Sequence, residues 1–190
     1  MPTLIASPAT VAHTAPRATV YRVRRALHAH EFEQAHALRR AVFCAEQGVF
    51  TGDDRDAIDE QAQLLVALHV PAGERKEERQ VVGTVRIHAP EPGLWWGSRL
   101  AVHAAFRRQA HLGAGLIRLA VCSAQAQGCQ RFLAHVQAQN APLFERLHWV
   151  ALRTLDIHGR PHVEMQADLR HYPPLADAGR GFLTPEVSAR

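Results

Sequence analysis

The residues best suited by type and spacing to do chemistry lie at positions 100–116, Leu-Ala-Val-His-Ala-Ala-Phe-Arg-Arg-Gln-Ala-His-Leu-Gly-Ala-Gly-Leu. An apolar run ends near Val102, a loop carries Arg107, Arg108 and Gln109, and Gly113 and Gly115 stand where a helical apolar period begins. Amides at a helix N-terminus donate to anions, and glycines let a phosphate approach the backbone closely. Two guanidinium groups beside them add forked donors for phosphate oxygens. The alternative is a strand–helix connection with solvated arginines and glycines chosen for packing, and a short Gly-x-Gly does not by itself decide between the two. Two phosphate-binding loops are excluded. No Gly-Lys-Ser/Thr exists for a P-loop, and the third glycine of a dinucleotide fingerprint falls at Arg118.

The elements that must position these residues follow from apolar spacing. Residues 20–27 alternate apolar and polar and predict a first strand. Over 30–46, Phe32, Ala35, Leu38, Val42 and Phe43 recur at helical spacing, and Gly48 and Gly52 then break the chain before an acidic loop, Asp53 to Glu60. Apolar runs at 64–70, 80–88 and 94–102 predict three strands in an antiparallel meander, the first two joined across the charged segment 71–79. The helix expected over 111–127 is apolar around most of its circumference, and Gly128 ends it. A short apolar strand over 131–136 follows, so strand, helix and strand predict a right-handed parallel crossover. Asn140 and Pro142 open a short helix to about residue 148, and strands at 149–157 and 162–167 flank a turn at His158-Gly159-Arg160-Pro161. The expected order is β–α–β–β–β–α–β–α–β–β: an α/β chain with one mixed sheet and helices on both faces.

Composition narrows the classes. With 190 residues, 47% apolar and 21% charged, the chain is long enough for one domain with a substantial core. Residues 1–18 are expected to be a disordered lead-in, 19–170 the domain and 171–190 a C-terminal tail. The lead-in lacks the apolar core of a signal peptide, and no apolar run approaches the ~20 residues of a membrane span. Three scattered cysteines, Cys44, Cys122 and Cys129, fit free thiols in a reducing cytoplasm; Cys129, just past Gly128, is the one to test for reactivity. The net charge of +4 rests almost wholly on arginine, Lys76 being the single lysine, but the basic residues are spread along the chain. No nucleic-acid partner is therefore expected. His28, His30 and His36 complete no recognised ligand spacing, and no metal is expected.

From Val102 onward the chain resembles the GCN5-related N-acetyltransferases, the GNAT superfamily. The resemblance rests on strand, Arg/Gln-x-x-Gly-x-Gly/Ala loop, buried helix and apolar strand, and most sharply on Asn140-Ala141-Pro142-Leu143-Phe144-Glu145-Arg146-Leu147-His148-Trp149. It extends from Val20 to about Asp168. It implies a GNAT fold: a single, mostly antiparallel sheet with one parallel pair of strands that splay apart to admit a pantetheine arm. Acetyl-CoA or another acyl-CoA would then be the donor, and a small-molecule amine the acceptor. By position, the backbone of Leu100, Ala101 and Val102 would face the pantetheine amides and the thioester. Arg107, Arg108, Gln109, Ala110, Gly113, Ala114 and Gly115 would cradle the pyrophosphate, and Asn140 and Phe144 would lie beside the sulfur.

The sequence departs from the family pattern in two places. Ala110 stands for a loop glycine, with about one extra residue before Gly113. Phe144 stands where many members carry a tyrosine that protonates the departing thiolate. An N-terminal segment, Leu38-Arg39-Arg40-Ala41-Val42-Phe43-Cys44-Ala45-Glu46-Gln47-Gly48 with Asp56-x-x-Asp59, is similar to a bacterial subfamily linked to nitrogen starvation and nitrilase gene clusters. Acyl-homoserine lactone synthases share a related Arg–Phe…Asp-x-x-Asp layout. Direct transfer to an amine needs a base, for which Glu46 is the first candidate, followed by Asp59 and His103. The acidic loop could hold a cationic amine, or be a solvated surface loop. The resemblance leaves two rivals: a lactone synthase-like acyltransferase and a non-catalytic acyl-CoA-binding subunit. A homodimer stays open.

Overall fold

The apolar runs at 64–70 and 80–88 become inner strands of the sheet, because strands buried on both faces need no alternation. The computed structural model describes residues 20–70, 79–107 and 111–185. Eight strands form one sheet: β1 (Val20–Arg25), β2 (Gln63–Val70), β3 (Gln80–Glu91), β4 (Leu94–Val102), β5 (Arg131–Gln137), β6 (Trp149–Ile157), β7 (Arg160–Ala167) and β8 (Phe182–Pro185). Their order is β6-β7-β5-β4-β3-β2-β1-β8, and every pairing is antiparallel except that of β4 with β5. Helices α1 (Ala29–Arg39), α2 (Leu112–Ala126) and α3 (Ala141–Arg146) complete the α/β architecture. It is the GNAT fold expected from the sequence, with the meander β2–β3–β4 and the parallel crossover β4–α2–β5 both present.

Two differences have physical causes. The helix expected over residues 30–46 is α-helical only to Arg39 and continues as a π-helix, Arg40–Glu46, in which the Gln47 amide reaches back five residues to the Val42 carbonyl at 2.9 Å. The wider turn brings both Phe43 and Gln47 to the same cleft. The segment expected to be a tail, 171–190, is part of the fold as far as it is described. Tyr172 is buried, the Leu175 amide donates to the Cys122 carbonyl at 3.0 Å, and β8 pairs with β1. Helix α2 is apolar nearly all round and β1 would otherwise be an edge, so both need this cover. The turn into β8 requires Gly181: its φ is +56°, and a Cβ there would sit 1.9 Å from the Val23 carbonyl oxygen. The lead-in, 1–18, lies outside the described residues.

The core has two parts, one on each face of the sheet. On one face Leu116, Leu119 and Val121 of α2 pack with Val85, Ile87 and Phe132. On the other, Ala35, Leu38, Val42 and Phe43 pack on Leu64, Val66 and Leu68.

Candidate active site

Strands β4 and β5 pair only from Leu94–Gly97 against Arg131–Ala134. Beyond that they part, and the cause is local to β4. Ser98 stands opposite Arg86 and Ala101 opposite Thr84, so Arg99 and Leu100 together face the single residue Val85. This is a β-bulge, with Arg99 at φ +56°, and it bends β4 away from its parallel neighbour. A cleft of about 520 Å³ occupies the opening. Its lining comes from both helical layers: Ile117 and Ala120 of α2 with Phe144 of α3, and Phe43, Gln47 and Phe50 from the π-helical side.

On the α2 side the site is made of backbone and small residues. Leu100, Asn140 and Phe144 line the cleft, and the Phe144 ring meets Trp149 edge-on at 5.0 Å. Helix α2 begins after His111, a left-handed residue whose carbonyl takes the Gly115 amide at 3.0 Å. The Gly115 amide is therefore engaged within the helix, while the preceding amides of the first turn have no acceptor there. Gly113 is informative. A Cβ at this position would meet nothing within 4 Å among the described residues and its φ is not in the left-handed region, so neither their packing nor the backbone angle calls for glycine. Alanine would favour the helix by up to about 1 kcal/mol. A bare approach to the helix N-terminus is what a pyrophosphate needs, and the residues present fit one. Arg107 closes this end: its Nε donates to the Val102 carbonyl at 3.0 Å, and its two terminal nitrogens clamp Glu46 at 2.7 and 2.5 Å. Ala101 is buried toward α1. Arg108, Gln109 and Ala110 lie outside the described residues.

On the α1 side the wall is a network of charges. Arg39 is fully buried and binds Asp54 through Nε at 2.7 Å and Asp59 through its other nitrogens at 2.6 and 3.0 Å. Arg86, also buried, holds Asp56 at 2.5 Å, Asp59 at 2.8 Å and the Ser98 hydroxyl at 3.0 Å. Arg99 reaches Asp54 and Asp56, both at 3.0 Å, and lies over the Phe50 ring. Three carboxylates and three guanidinium groups cancel. Asp54, Asp56 and Asp59 of the acidic loop are thus structural, each spent on arginines, while Asp53 and Glu60 stay on its exposed side. Asp59 shows the balance. Burial opposes its charge, but the bonds from Arg39 outweigh that and hold it well below the usual carboxylate range.

None of the three groups expected to take a proton lines the cleft. Glu46 is exposed and held below its ordinary value by the Arg107 clamp, which weakens it as a base. Asp59 is locked between Arg39 and Arg86. The His103 Nδ1 accepts from the Ala105 amide at 3.3 Å, capping a short turn. The turn histidines His158 and His162, which the family resemblance implies lie near the acceptor cleft, do line it, and so does Trp96, whose sequence reading was sheet packing; sequence reasoning missed His88 and His135. The signal available was alternation, since residues 96, 98 and 135 fall on one face once the bulge and the crossover are known. Cys129 is buried and its thiol is pushed up to about 11 by desolvation, which keeps it protonated and unreactive at neutral pH. Tyr172 does not replace the missing tyrosine, because its hydroxyl donates to the Leu147 carbonyl and receives the Trp149 indole. Among the described residues no cluster could hold a metal, and no helix is long and apolar enough to cross a membrane.

A strand pair that parts beside a helix N-terminus is the arrangement of the acyl-CoA-dependent acyltransferases, and the sequence agrees. The chain belongs to the acetyltransferase (GNAT) family, whose model matches residues 29–149. Among solved structures it is similar to a protein from Lactobacillus plantarum described as an N-acetyltransferase, at 22% identity and a TM-score of 0.67, covering 78% of this chain and 98% of that one. An acyl-CoA N-acyltransferase from Pseudomonas aeruginosa follows at 21% identity and a TM-score of 0.61, covering 77% and 98%. The CoA-dependent acyl-homoserine lactone synthase BjaI, solved with SAM and isopentyl-CoA, shares 18% identity at a TM-score of 0.64, covering 85% and 94%. No curated protein matches the sequence significantly.

Proposed function

We propose that the protein is an N-acetyltransferase that moves an acetyl group from acetyl-CoA to a small-molecule amine by direct attack in a ternary complex. The observation that carries this reading is the parting of β4 and β5 beyond Gly97 and Ala134 over a cleft lined from both helical layers. A pantetheine arm laid between the strands runs past Leu100, Ala101 and Val102 and ends beside Asn140 and Phe144. Its pyrophosphate meets the α2 N-terminus at Gly113 and Ala114, with Arg107 trading Glu46 for phosphate oxygens. Arg108, Gln109, Ala110 and Gly115 complete the proposed set. With Phe144 unable to give a proton, the departing thiolate leaves without a tyrosine acid; a thiol's ordinary pKa makes it a competent leaving group. Calorimetric titration with acetyl-CoA, free CoA and a longer acyl-CoA tests the reading. Tight binding that favours acetyl-CoA and is lost in Gly113→Glu is expected; no binding to any of the three overturns it.

The subfamily linked to nitrogen starvation and nitrilase clusters is the finer assignment we favour, with a cytoplasmic setting and a role in nitrogen metabolism. Its support is that, of the residues of that resemblance, Phe43 and Asp56 line the cleft and Arg39 and Asp59 join Asp56 through Arg86 in the ion-pair network behind it. The same convergence favours a second reading, an acyl-homoserine lactone synthase-like transferase acting on SAM, as in BjaI. Preference for a branched or longer acyl-CoA over acetyl-CoA, with turnover dependent on SAM, would select it.

A further inference from the structure

Resting on the acyltransferase reading, we propose that His135 is the group that takes the proton from the acceptor amine, and that Glu164 positions it. His135 is the first residue of β5 beyond its last pair with β4, Ala134 opposite Gly97, so it stands where the strands part. It lines the cleft, its side chain is 36% exposed, and its ring meets Trp96 of β4 at 4.8 Å. Directly across on β7, Glu164 faces it, with the imidazole Nε2 at 3.2 Å from Oε2. Arg153 of β6 holds that same oxygen at 2.8 Å, which fixes the carboxylate as an anion and leaves its side chain only 11% exposed. A buried carboxylate accepting from Nε2–H selects the tautomer whose Nδ1 lone pair is free. The charged groups on this wall are paired with one another, Asp56 with Arg86 and Arg99 with Asp54 and Asp56. Of the other histidines that line the cleft, His158 meets the Phe50 ring and the His162 Nδ1 lies 2.8 Å from the Arg160 carbonyl; among the described residues neither is held by a carboxylate as His135 is. His88 lines the same cleft, but its Nδ1 is buried without a partner among the described residues.

The step balances as follows. The ammonium gives one proton to His135 Nδ1, and the freed nitrogen pair attacks the thioester carbonyl carbon. The N–C bond forms, the C–S bond breaks with its electron pair going to sulfur, and the nitrogen's second proton passes to the thiolate. The imidazolium returns its proton to solvent, so one amide, one CoA thiol and one proton leave. The test compares benzylamine, which is almost wholly protonated at neutral pH, with hydroxylamine, which is not, as acceptors in a CoA-thiol release assay. His135→Gln is expected to lower kcat for benzylamine by ~100-fold or more, the usual worth of a general base, with the acetyl-CoA KM unchanged and hydroxylamine far less affected. Imidazole added to His135→Gly restores transfer, and Glu164→Gln loses kcat without losing acetyl-CoA affinity. Equal losses for both amines with no imidazole rescue, or full activity in His135→Gln, overturn the proposal. Wild-type protein that binds acetyl-CoA but acetylates neither amine also overturns it, whereas failure to bind acetyl-CoA overturns the acyltransferase reading beneath it.

Discussion

The two faces of the sheet build their halves of the cleft from different materials. The α2 face uses backbone: a bulge at Arg99 and Leu100, a helix N-terminus, and a glycine whose side chain is missing where none of the described residues would object to one. The α1 face uses charge: three arginines and three aspartates, several fully buried, brought from α1, the loop before β2, β3 and β4. Backbone geometry tolerates substitution of side chains, so a surface made of it recognises what all donors share. A closed ion-pair network tolerates little. Removing one member strands its partners in low dielectric, whereas in the intact set each charge faces an opposite one.

The largest effect expected from this contrast is on the charged face. Arg39→Met leaves Asp54 and Asp59 without their principal partner and should destabilise the protein by about 3–5 kcal/mol, read from urea unfolding. A loss under about 1 kcal/mol would mean that Arg86 and Arg99 re-form the network without it. Next comes the β8 turn, where Gly181→Ala forces a side chain into the Val23 carbonyl and a strained φ; a loss of about 1–3 kcal/mol is expected by the same measurement. The backbone-built face should respond in binding and not in stability. Gly113→Glu is expected to weaken acetyl-CoA by at least tenfold, about 1.4 kcal/mol, with an unchanged unfolding midpoint, because its Cβ meets no neighbour.

Acid sharpens the comparison further. Asp59 ordinarily titrates near 3.8 and is held lower in the folded protein, so the unfolded chain binds the proton first. The stability it supplies is complete above that ordinary value, declines as pH falls below it, and is gone once the folded carboxylate is protonated. Thermal unfolding between pH 4 and pH 2 should show a steep loss in wild type and a shallower one in Arg39→Met; parallel slopes would place the acid-sensitive groups elsewhere. The smallest effect belongs to the exposed clamp. Glu46→Gln should shift stability by less than about 1 kcal/mol, since solvent screens the Arg107 pair. The same variant also weighs Glu46 as the proton acceptor: turnover of benzylamine that collapses in Glu46→Gln and survives in His135→Gln would reverse that assignment.

Much of the structure that carries the proposed donor half was legible in advance because its signals are local. Gly113 and Gly115 next to an apolar helical period, and Asn140 to Trp149 in unbroken sequence, each lie within one turn or one short helix. The strands β4 and β6 fall where apolar alternation puts them for the same reason. The π-helix at Arg40–Glu46 was not legible, since an extra residue per turn leaves the apolar spacing of Val42 and Phe43 nearly unaltered. Nor was β8, because Phe182 to Pro185 is a four-residue strand among prolines and glycines whose only reason to form is the open edge of β1.

By itself, then, the order of apolar runs, turn residues and caps determined the strand and helix succession from β1 to β7, the parallel crossover and the place of the α2 N-terminus, where we propose that an anion binds. Each depends on interactions within a few residues. The tertiary structure alone decided which charges cancel and which cleft histidine meets a carboxylate. Arg39, Asp59 and Arg86 are separated by dozens of residues and meet only when three elements pack, and His135 gains Glu164 through a strand pairing that spans 29 positions. Long-range convergence of this kind leaves no periodic trace, so the acceptor side of the cleft became readable only once the sheet had closed around it.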